Sequence, residues 1–255
     1  MSLSSSNKDL YGGVEFSTWL ELEKLWPAEE YLIEKYLNPN LGVVEAGVNG
    51  GRILFKLQQR GFTNLAGFDY IPELIAKAIE RNLDQKIDLQ VQDAIELAYS
   101  DQQFDQIIYL QQIVCLIENR EDRLKAVQES YRILKQDGIG LFSVLSFESR
   151  SSNIIYSIYF KYLTFLRKLR GEDLSIQYLP WLKLGGKFNF NALLDHPPYT
   201  YWYQVTEIYD LLKSVGFEII GIGTDPQISS DQLKHTDIEL LREELSGMLY
   251  IVVKK

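Results

Sequence analysis

The chain has 255 residues, which suits one α/β domain with an elaboration or one domain with a small cap. Hydrophobic residues make up 46% and charged residues 24%, so intrinsic disorder is not expected. The formal net charge of −9 disfavours nucleic acid as a partner, because an acidic surface repels the phosphate backbone.

The numbers of cysteines and histidines and the lengths of the apolar segments bear on disulfides, metal sites and membrane insertion. Cys115 is the single cysteine, which excludes an intramolecular disulfide, and its apolar neighbours predict a buried structural thiol. Two histidines and one cysteine are too few for a typical zinc site, so no metal is expected. The N-terminus carries no signal pattern and no segment has 18 uninterrupted apolar residues. We therefore expect a cytoplasmic protein without stable membrane insertion.

Strand and helix patterns alternate through the first 145 residues. Helical spacing covers 14–37, where Pro27 is expected to separate two helices. The predicted strands then cover 42–46, 65–69, 88–92, 106–110 and 139–145, and the predicted helices cover 53–61, 72–79 and 122–134. This alternation predicts an α/β fold, a doubly wound and mostly parallel sheet with helices on both faces.

The alternation stops after residue 145. About fifty residues intervene before a predicted helix over 206–215, which Gly216 closes. Two late strands follow, over 217–222 and 248–253, and a polar, helical excursion separates them. These two strands predict an antiparallel hairpin added to the edge of the sheet, for seven strands in all.

The turn after the first strand, Gly47-Val48-Asn49-Gly50-Gly51, is rich in glycine. A glycine-rich turn between a strand and a helix lets the backbone approach a ligand and points its amides at it, although it can also serve only to turn the chain. Asp69 ends the next strand, 22 residues beyond Gly47, where an acid can accept hydrogen bonds from ribose hydroxyls. Asp69 alone would equally suit a cap for the helix that begins at Pro72.

Two cofactors compete for this turn, a nicotinamide dinucleotide and S-adenosylmethionine. The nicotinamide fingerprint G-x-G-x-x-G fails twice from Gly47, because Asn49 and Arg52 stand where glycines are required. Glu45, at the mouth of the first strand, would repel a pyrophosphate but suits the ammonium of an amino acid. This comparison favours S-adenosylmethionine, which has an ammonium and a ribose and no phosphate.

From Leu41 to Val144 the sequence resembles the class I S-adenosylmethionine-dependent methyltransferase family, in the type 11 and type 25 group. The family opens with an acidic residue and a G-x-G-x-G loop, which Glu45, Gly47 and Gly51 match, whereas Asn49 replaces the central glycine. Asn tolerates left-handed backbone better than most other residues, so the turn is expected to survive.

The resemblance continues at the ends of the next strands. It implies that Asp69, followed by Tyr70, binds the ribose, that Asp93 and Ala94 contact the adenine, and that Leu110 ends the strand under the cofactor. The stretches 104–108 and 132–138 resemble the fourth strand and the turn before the fifth. The implied activity is in-line transfer of a methyl group, which leaves S-adenosylhomocysteine as the second product.

The segment from 151 to 203 holds 13 of the 32 aromatic residues and is interpreted as the determinant of the substrate. His196 is the candidate general base by residue type, although a surface histidine beside a turn is the alternative. We expect Tyr199, Tyr201 and Trp202 to orient a substrate, while packing remains the other role for such aromatics.

These patterns divide the chain into a core over 41–145 and 204–255, N-terminal helices over 1–40 that cover the cofactor, and an insertion over 146–203. Apolar residues from Ile154 to Leu169 follow helical spacing, and that helix ends in basic residues. The insertion is expected to be a lid over a small, partly apolar or aromatic acceptor. The other roles are a dimer surface, giving a homodimer, a membrane-surface helix, and a helix that packs on the domain without contacting a substrate. A non-catalytic S-adenosylmethionine-binding protein and, less favoured, a nicotinamide-dependent oxidoreductase are the alternative functions.

Overall fold

The computed structural model describes residues 24–184 and 186–255, so the first of the two predicted N-terminal helices lies almost wholly outside the described residues. The helices are α1 (Pro27–Tyr36), α2 (Arg52–Gln59), α3 (Pro72–Arg81), α4 (Ile113–Leu116), α5 (Arg120–Ile133), α6 (Phe147–Ser151), α7 (Ile154–Arg170), a 3₁₀ helix (Phe190–Leu194), α8 (Val205–Val215), α9 (Asp225–Ser229) and α10 (Asp237–Leu240). The strands are β1 (Val43–Ala46), β2 (Leu65–Asp69), β3 (Ile87–Val91), β4 (Phe104–Tyr109), β5 (Leu134–Leu145), β6 (Tyr178–Pro180), β7 (Lys183–Leu184), β8 (Lys187–Phe188), β9 (Tyr199–Tyr201), β10 (Glu218–Gly223) and β11 (Met248–Lys254).

Seven of these strands form one sheet in the order β10-β11-β5-β4-β1-β2-β3. Strands β1 to β5 pair in parallel, and β11 runs antiparallel to both β5 and β10. The predicted doubly wound sheet with a C-terminal hairpin is therefore confirmed. The chain direction brings the carboxyl ends of β1, β2, β3 and β4 to one edge, where a crevice forms beside the central strand.

Helices cover both faces of the sheet. One face packs on α5 and α8, and the other packs on α1, α2 and α3, each face with its own buried apolar cluster. Because helices cover both faces, β1 and β2 are buried along their whole length. Strands that are buried on both faces are mostly apolar rather than alternating between apolar and polar residues. The two clusters hold the sheet rigid, so the loops at its carboxyl edge start from fixed points.

The fifth strand differs from its predicted bounds. It begins at Leu134, directly after α5, rather than at Ile139. Asp137 adopts a left-handed backbone with φ 63°, and its amide donates to the carbonyl of Lys255 at 2.9 Å. Asp137 and Gly138, predicted to form a turn before the strand, therefore lie within β5 as a local irregularity. The hydrogen bond to Lys255 keeps this part of β5 joined to the end of the chain.

The inserted segment leaves the sheet and returns to it at one point. Ser146 and Tyr203 are bridged as a parallel pair, and the amide of Phe147 donates to the carbonyl of Tyr203 at 2.8 Å. Between them the chain builds α6, α7, the 3₁₀ helix and two small antiparallel pairs, β6 with β9 and β7 with β8. We call residues 146–203 the cap.

The cap has an apolar cluster and an ion pair of its own. Phe160, Leu163 and Leu179 form the buried centre of the cluster. Arg167 and Asp195 are almost completely buried, and two hydrogen bonds of 2.6 and 2.7 Å join the guanidinium to the carboxylate. This pair ties the end of α7 to the loop that follows the 3₁₀ helix.

Candidate functional site

The loop after β1 has the left-handed geometry that its residues predict. Gly47, Asn49 and Gly51 have φ values of 67°, 49° and 87°. The side-chain amide of Asn49 donates to the carbonyl of Gly47 at 3.1 Å, which holds the loop in place of a glycine. A Cβ on Gly47 would lie 2.1 Å from Cδ1 of Ile113, so glycine keeps the loop close to the opposite wall of the crevice.

Asp69 anchors this loop from the end of β2. Its Oδ2 accepts the amide of Asn49 at 3.0 Å, and its Oδ1 accepts the amide of Ile71 at 3.0 Å. Burial raises the pKa of the Asp69 carboxyl to about 6, although these amides act in the opposite direction. Each carboxylate oxygen retains acceptor capacity for a further donor.

The ends of β2 and β3 and the chain after β4 enclose a cavity of about 260 Å³. We call it the adenosine cavity, after the group that the sequence predicts there. Its lining is mostly apolar, and it includes the predicted residues Gly47, Asn49, Asp69, Tyr70, Asp93 and Ala94. Asp93 is exposed at the rim, where its Oδ1 accepts the amide of Ile95 at 3.2 Å.

A second, smaller cavity lies at the end of β1, lined by Glu45, Gly47, Asn49, Arg52, Leu110, Gln111 and Val48. Glu45 is buried, and its Oε2 has no hydrogen-bond partner among residues 24–184 and 186–255. Burial raises the pKa of the Glu45 carboxyl well above its ordinary value, while the nearby Arg52 lowers it. A buried carboxyl oxygen without a donor favours an arriving cation or N–H group.

A buried network holds Arg52 and Gln111 in the wall of the small cavity. The Arg52 guanidinium binds both carboxylate oxygens of Glu29 at 2.5 and 2.6 Å, and the Gln111 side chain donates to Glu29 at 2.6 Å. Glu29 lies on α1, so the N-terminal part of the chain completes this end of the crevice. The network joins three segments that are distant in the sequence.

The chain after β4 has strained geometry at the centre of the crevice. Gln111 and Gln112 are consecutive and both left-handed, with φ values of 57° and 61°. Non-glycine residues rarely adopt this conformation and persist in it where the surroundings require it, commonly at ligand sites. Gln111 lines the small cavity, and Ile113 lines the adenosine cavity.

A third cavity, of about 600 Å³, lies under the cap, and we call it the cap cavity. Aromatic side chains from α7 and from the small strands form much of its wall: Tyr156, Tyr159, Phe160, Trp181 and Trp202. Gln112 and Leu145 supply the wall on the side of the core. Three consecutive residues, Gln111 to Ile113, therefore each line a different one of the three cavities.

Arg150 and Lys183 both line the cap cavity, and Arg150 lies against these rings. Its guanidinium carbon lies 3.9 Å from the ring centre of Tyr156 and 4.6 Å from that of Trp202. Burial lowers the pKa of this guanidinium. Among the described residues no carboxylate lies within ion-pair distance of Arg150, and its Nε has no hydrogen-bond partner. The aromatic rings stabilise the charge, but its donors remain available to a ligand.

Arg123 connects the cap to the adenosine cavity. It is buried, with its guanidinium carbon 3.8 Å from the ring centre of Tyr201 in the cap. Its Nη1 donates to the carbonyl of Glu118 at 2.9 Å, and the hydroxyl of Tyr178 donates to the same carbonyl at 3.0 Å. Because Glu118 lines the adenosine cavity, these hydrogen bonds connect the cap to the wall of that cavity.

The remaining predicted residues lie in different places. Trp202 lines the cap cavity, whereas Tyr199 and Tyr201 line none of the three cavities; their hydroxyls donate to the Asp195 carbonyl and to Glu207, both at 2.6 Å. His196 is exposed and lines none of the three. Gly51 caps the start of α2, where a Cβ would meet the ring of Phe55.

Sequence reasoning missed Glu29, Arg52, Gln111 and Arg150 as site residues. Arg52 had a signal, because it follows the glycine loop directly and stands beside Glu45 in the small cavity. Gln111 had one as well, because it directly follows the predicted strand end at Leu110, and strand ends border the crevice. Glu29 and Arg150 had none, since only tertiary contacts bring them to the crevice.

Comparisons with known proteins agree with this geometry. Residues 44–142 match the methyltransferase domain family. The chain is 27% identical to the ubiquinone/menaquinone biosynthesis C-methyltransferase UbiE of Citrifermentans bemidjiense, over 63% of this chain and 70% of the relative. It is 32% identical to the UbiE of Rickettsia prowazekii, over 54% of this chain and 56% of the relative. A solved S-adenosylmethionine-dependent methyltransferase from Methanosarcina mazei superposes with a TM-score of 0.65 at 18% identity, covering 91% of this chain and 98% of the other.

Proposed function

We propose that this chain, whose residues 44–142 match the methyltransferase domain family, is a class I S-adenosylmethionine-dependent methyltransferase that methylates a small, partly apolar or aromatic acceptor held under the cap. The observation that carries this proposal is the strained segment Gln111-Gln112-Ile113, which lines all three cavities. A donor in the first two cavities and an acceptor in the third would face each other across this segment.

The residues of the two smaller cavities fit the cofactor. The unpartnered oxygen of Glu45 suits the ammonium of the methionine part, and Asp69 has the capacity to accept both ribose hydroxyls. Asp93 and Ala94, at the rim of the adenosine cavity, are assigned to the adenine. The sulfonium of the bound cofactor supplies the methyl group and the leaving group, so the protein mainly supplies alignment.

The lining of the cap cavity indicates the acceptor. Five aromatic residues favour a flat or apolar molecule, and Arg150 offers charged donors without a carboxylate partner in the described part of the chain. We assign to Arg150 the binding of an anionic or strongly hydrogen-bond-accepting group on that molecule. Such a contact would orient the acceptor so that its nucleophilic atom faces Gln112.

The chain's part in the reaction is to orient and to exclude water. Holding two reactants in line lowers the barrier by several kcal/mol, at best about 7–11 kcal/mol. The cap covers the acceptor with its aromatic wall, and the contacts of Arg123 with Tyr201 and with the Glu118 carbonyl join the cap to the lining of the adenosine cavity. His196 stays a prediction as a base, and its exposed place would require the loop after the 3₁₀ helix to approach the acceptor.

Calorimetric titration of S-adenosylmethionine and S-adenosylhomocysteine tests the cofactor site. We expect Asp69→Ala to weaken both by roughly tenfold or more, because hydrogen bonds to a charged acceptor are lost. Asp88→Ala is the matched control, since Asp88 is exposed on the adjacent strand β3 and lines none of the three cavities. Equal affinity of wild type and Asp69→Ala would contradict the assignment.

A panel of aromatic acids and their neutral amides or esters, assayed by formation of S-adenosylhomocysteine, tests the acceptor site. Turnover is expected for acids over their neutral partners, and Arg150→Met should remove this preference while cofactor affinity is unchanged. Cofactor binding by the wild type with no turnover across the panel would favour the non-catalytic binding protein.

A further inference from the structure

The outward face of α7 is apolar and uncovered. Six large apolar side chains on this helix are between 40% and 75% exposed: Ile154, Ile155, Ile158, Tyr162, Phe165 and Leu169. At 3.6 residues per turn they fall within an arc of about 100°, so they form one stripe. The helix has 17 residues, which gives the stripe a length of about 25 Å.

The stripe continues onto the 3₁₀ helix and the neighbouring end of β8. Phe188, Phe190, Leu193 and Leu194 are also exposed, and the hydroxyl of Tyr162 donates to the carbonyl of Leu193 at 2.8 Å. In the described part of the chain, ten of the sixteen exposed large apolar side chains lie between Ile154 and Leu194. We call this continuous surface the outer cap face. Single exposed apolar residues are ordinary, whereas a contiguous patch of this kind marks an interaction surface.

The charge of the cap is opposite to that of the rest of the chain. Residues 146–203 contain seven lysines and arginines and four acidic residues, a net charge of +3, so the other residues carry −12. Two of the four acids already have partners: Asp195 pairs with Arg167, and Glu148 accepts the amide of Val205 at the start of α8. The exposed cations are Lys161, Lys168, Arg170, Lys183 and Lys187.

We propose that the outer cap face binds the surface of an anionic lipid bilayer, with α7 lying in the plane of the interface. An amphipathic helix with apolar residues on one face and lysines at its border is the arrangement that binds such surfaces. Lys161 and Lys168 flank the stripe on one side, from where long side chains reach the headgroups. The acidic remainder of the chain is repelled by the same surface, which orients the molecule with its cap towards the lipid.

A second copy of the chain fits this face less well. A two-fold contact between outer cap faces would bring the lysines of one copy against those of the other, with few exposed acids to compensate. A membrane span would require a longer uncharged apolar helix than any in residues 24–184 and 186–255, so α7 docks on the surface and does not cross. The opposite side of α7 lines the cap cavity, which places that cavity one helix away from the lipid.

Sedimentation with vesicles tests the proposal on the full chain. Binding is expected to phosphatidylcholine vesicles that contain about one-third phosphatidylglycerol, and to be weaker by roughly tenfold or more on pure phosphatidylcholine or in high salt. Absence of binding to the anionic vesicles would overturn the proposal. The measurement needs no cofactor, so its failure and a failure of the proposed methyl transfer are seen separately.

Two matched pairs of variants identify the face. Ile158→Ser with Phe165→Ser should lower vesicle binding by roughly tenfold or more, whereas Ile79→Ser with Leu83→Ser, also at exposed sites but on α3 and just after it, should not. Equal loss in both pairs would contradict a specific face.

A separate pair of variants tests whether the positive charge of the outer cap face is needed for binding. Lys161→Glu with Lys168→Glu should abolish the preference for anionic vesicles, and Lys86→Glu with Arg242→Glu, at exposed sites outside the cap, should not. A stable dimer in solution that Ile158→Ser with Phe165→Ser dissociates, without vesicle binding by the wild type, would assign the face to a second copy and overturn the lipid proposal.

Discussion

Charged side chains are stabilised differently at the carboxyl edge of the sheet and in the cap. At the sheet edge, carboxylates are buried beside backbone amides, as Asp69 is between the amides of Asn49 and Ile71. In the cap, a cation is half-buried against aromatic rings, as Arg150 is against Tyr156 and Trp202. The first arrangement suits a cationic, hydroxylated cofactor, and the second suits an acceptor that carries negative charge.

The two regions also differ in how their residues are held. The loop after β1 starts from a strand buried on both faces, so its geometry depends on the whole sheet. The cap rests on its own cluster and on the pair between Arg167 and Asp195, and it meets the sheet at a narrow neck around Ser146 and Tyr203. This difference predicts that the cap can be destabilised while the cofactor site persists.

The largest effect is expected from Arg167→Ala. Removal of one partner leaves Asp195 buried without its counter-ion, which typically costs about 3–5 kcal/mol. Hydrogen exchange should show faster exchange confined to 146–203, with cofactor affinity near that of the wild type, and Lys168→Ala on the same turn of α7 is the exposed control. Loss of cofactor binding together with the cap would mean that the two regions form one cooperative unit.

Gly47→Ala tests the sheet edge by crowding it. The new methyl group would meet Ile113 and would also occupy a backbone with φ 67°, so we expect a loss of cofactor affinity of roughly tenfold or more. Gly61→Ala carries similar backbone strain, with φ 90°, but has no heavy atom within 4 Å of the new Cβ. Both variants should lose stability in thermal unfolding, and only Gly47→Ala should lose affinity. Equal affinities would remove Gly47 from the site.

The acidity of Asp69 predicts a pH dependence of cofactor binding. The pKa of Asp69 in the folded protein, about 6, lies above the ordinary 3.8. Protonation of Asp69 therefore stabilises the folded protein without cofactor. This contribution to folding stability is complete below pH 3.8 and is lost as the pH rises through about 6. Ribose hydroxyls favour the ionised form. Affinity should therefore fall about tenfold per pH unit below 6 and level off above it.

Calorimetry between pH 5 and 8 measures how cofactor affinity depends on pH. The Asp69→Asn variant should lose the change in affinity that has its midpoint near pH 6. Glu45→Gln is the companion variant, because the pKa of Glu45 is also raised by burial. A midpoint that is unchanged in Asp69→Asn and absent in Glu45→Gln would assign the titration to Glu45.

The smallest effect is expected from Asn49→Gly. Glycine relieves the left-handed backbone at φ 49°, but the bond from the Asn49 side chain to Gly47 is lost. The two changes nearly cancel, so stability should change by less than about 1 kcal/mol and cofactor affinity by less than about threefold. A gain in affinity above tenfold would show that Asn49 impairs the loop.

Much of the sheet edge was predictable from local patterns. Periodicity located the strands, and the carboxyl ends of parallel strands necessarily meet at one edge, so Glu45, Gly47, Asp69 and Asp93 were expected to lie near one another. The left-handed backbone at Asn49 was also predictable, because asparagine adopts this conformation more readily than most other non-glycine residues.

The cap was predictable only as an aromatic helical insertion. His196 was selected by residue type, yet it lies on the surface, and Tyr201 packs on Arg123 with its hydroxyl on Glu207 rather than in a cavity. Short strands such as β7 and β8 carry too few residues for a period to be visible in the sequence.

By itself the sequence determined the order of strands and helices, the glycine loop and the acids at the strand ends, because each depends on neighbours along the chain. Only the tertiary structure decided which side chains share a buried environment. Gln111 reaches Glu29 across 82 residues, and Arg167 reaches Asp195 across 28. Such pairs form where separate segments pack and exclude water, and chemical type alone does not reveal which segments will meet.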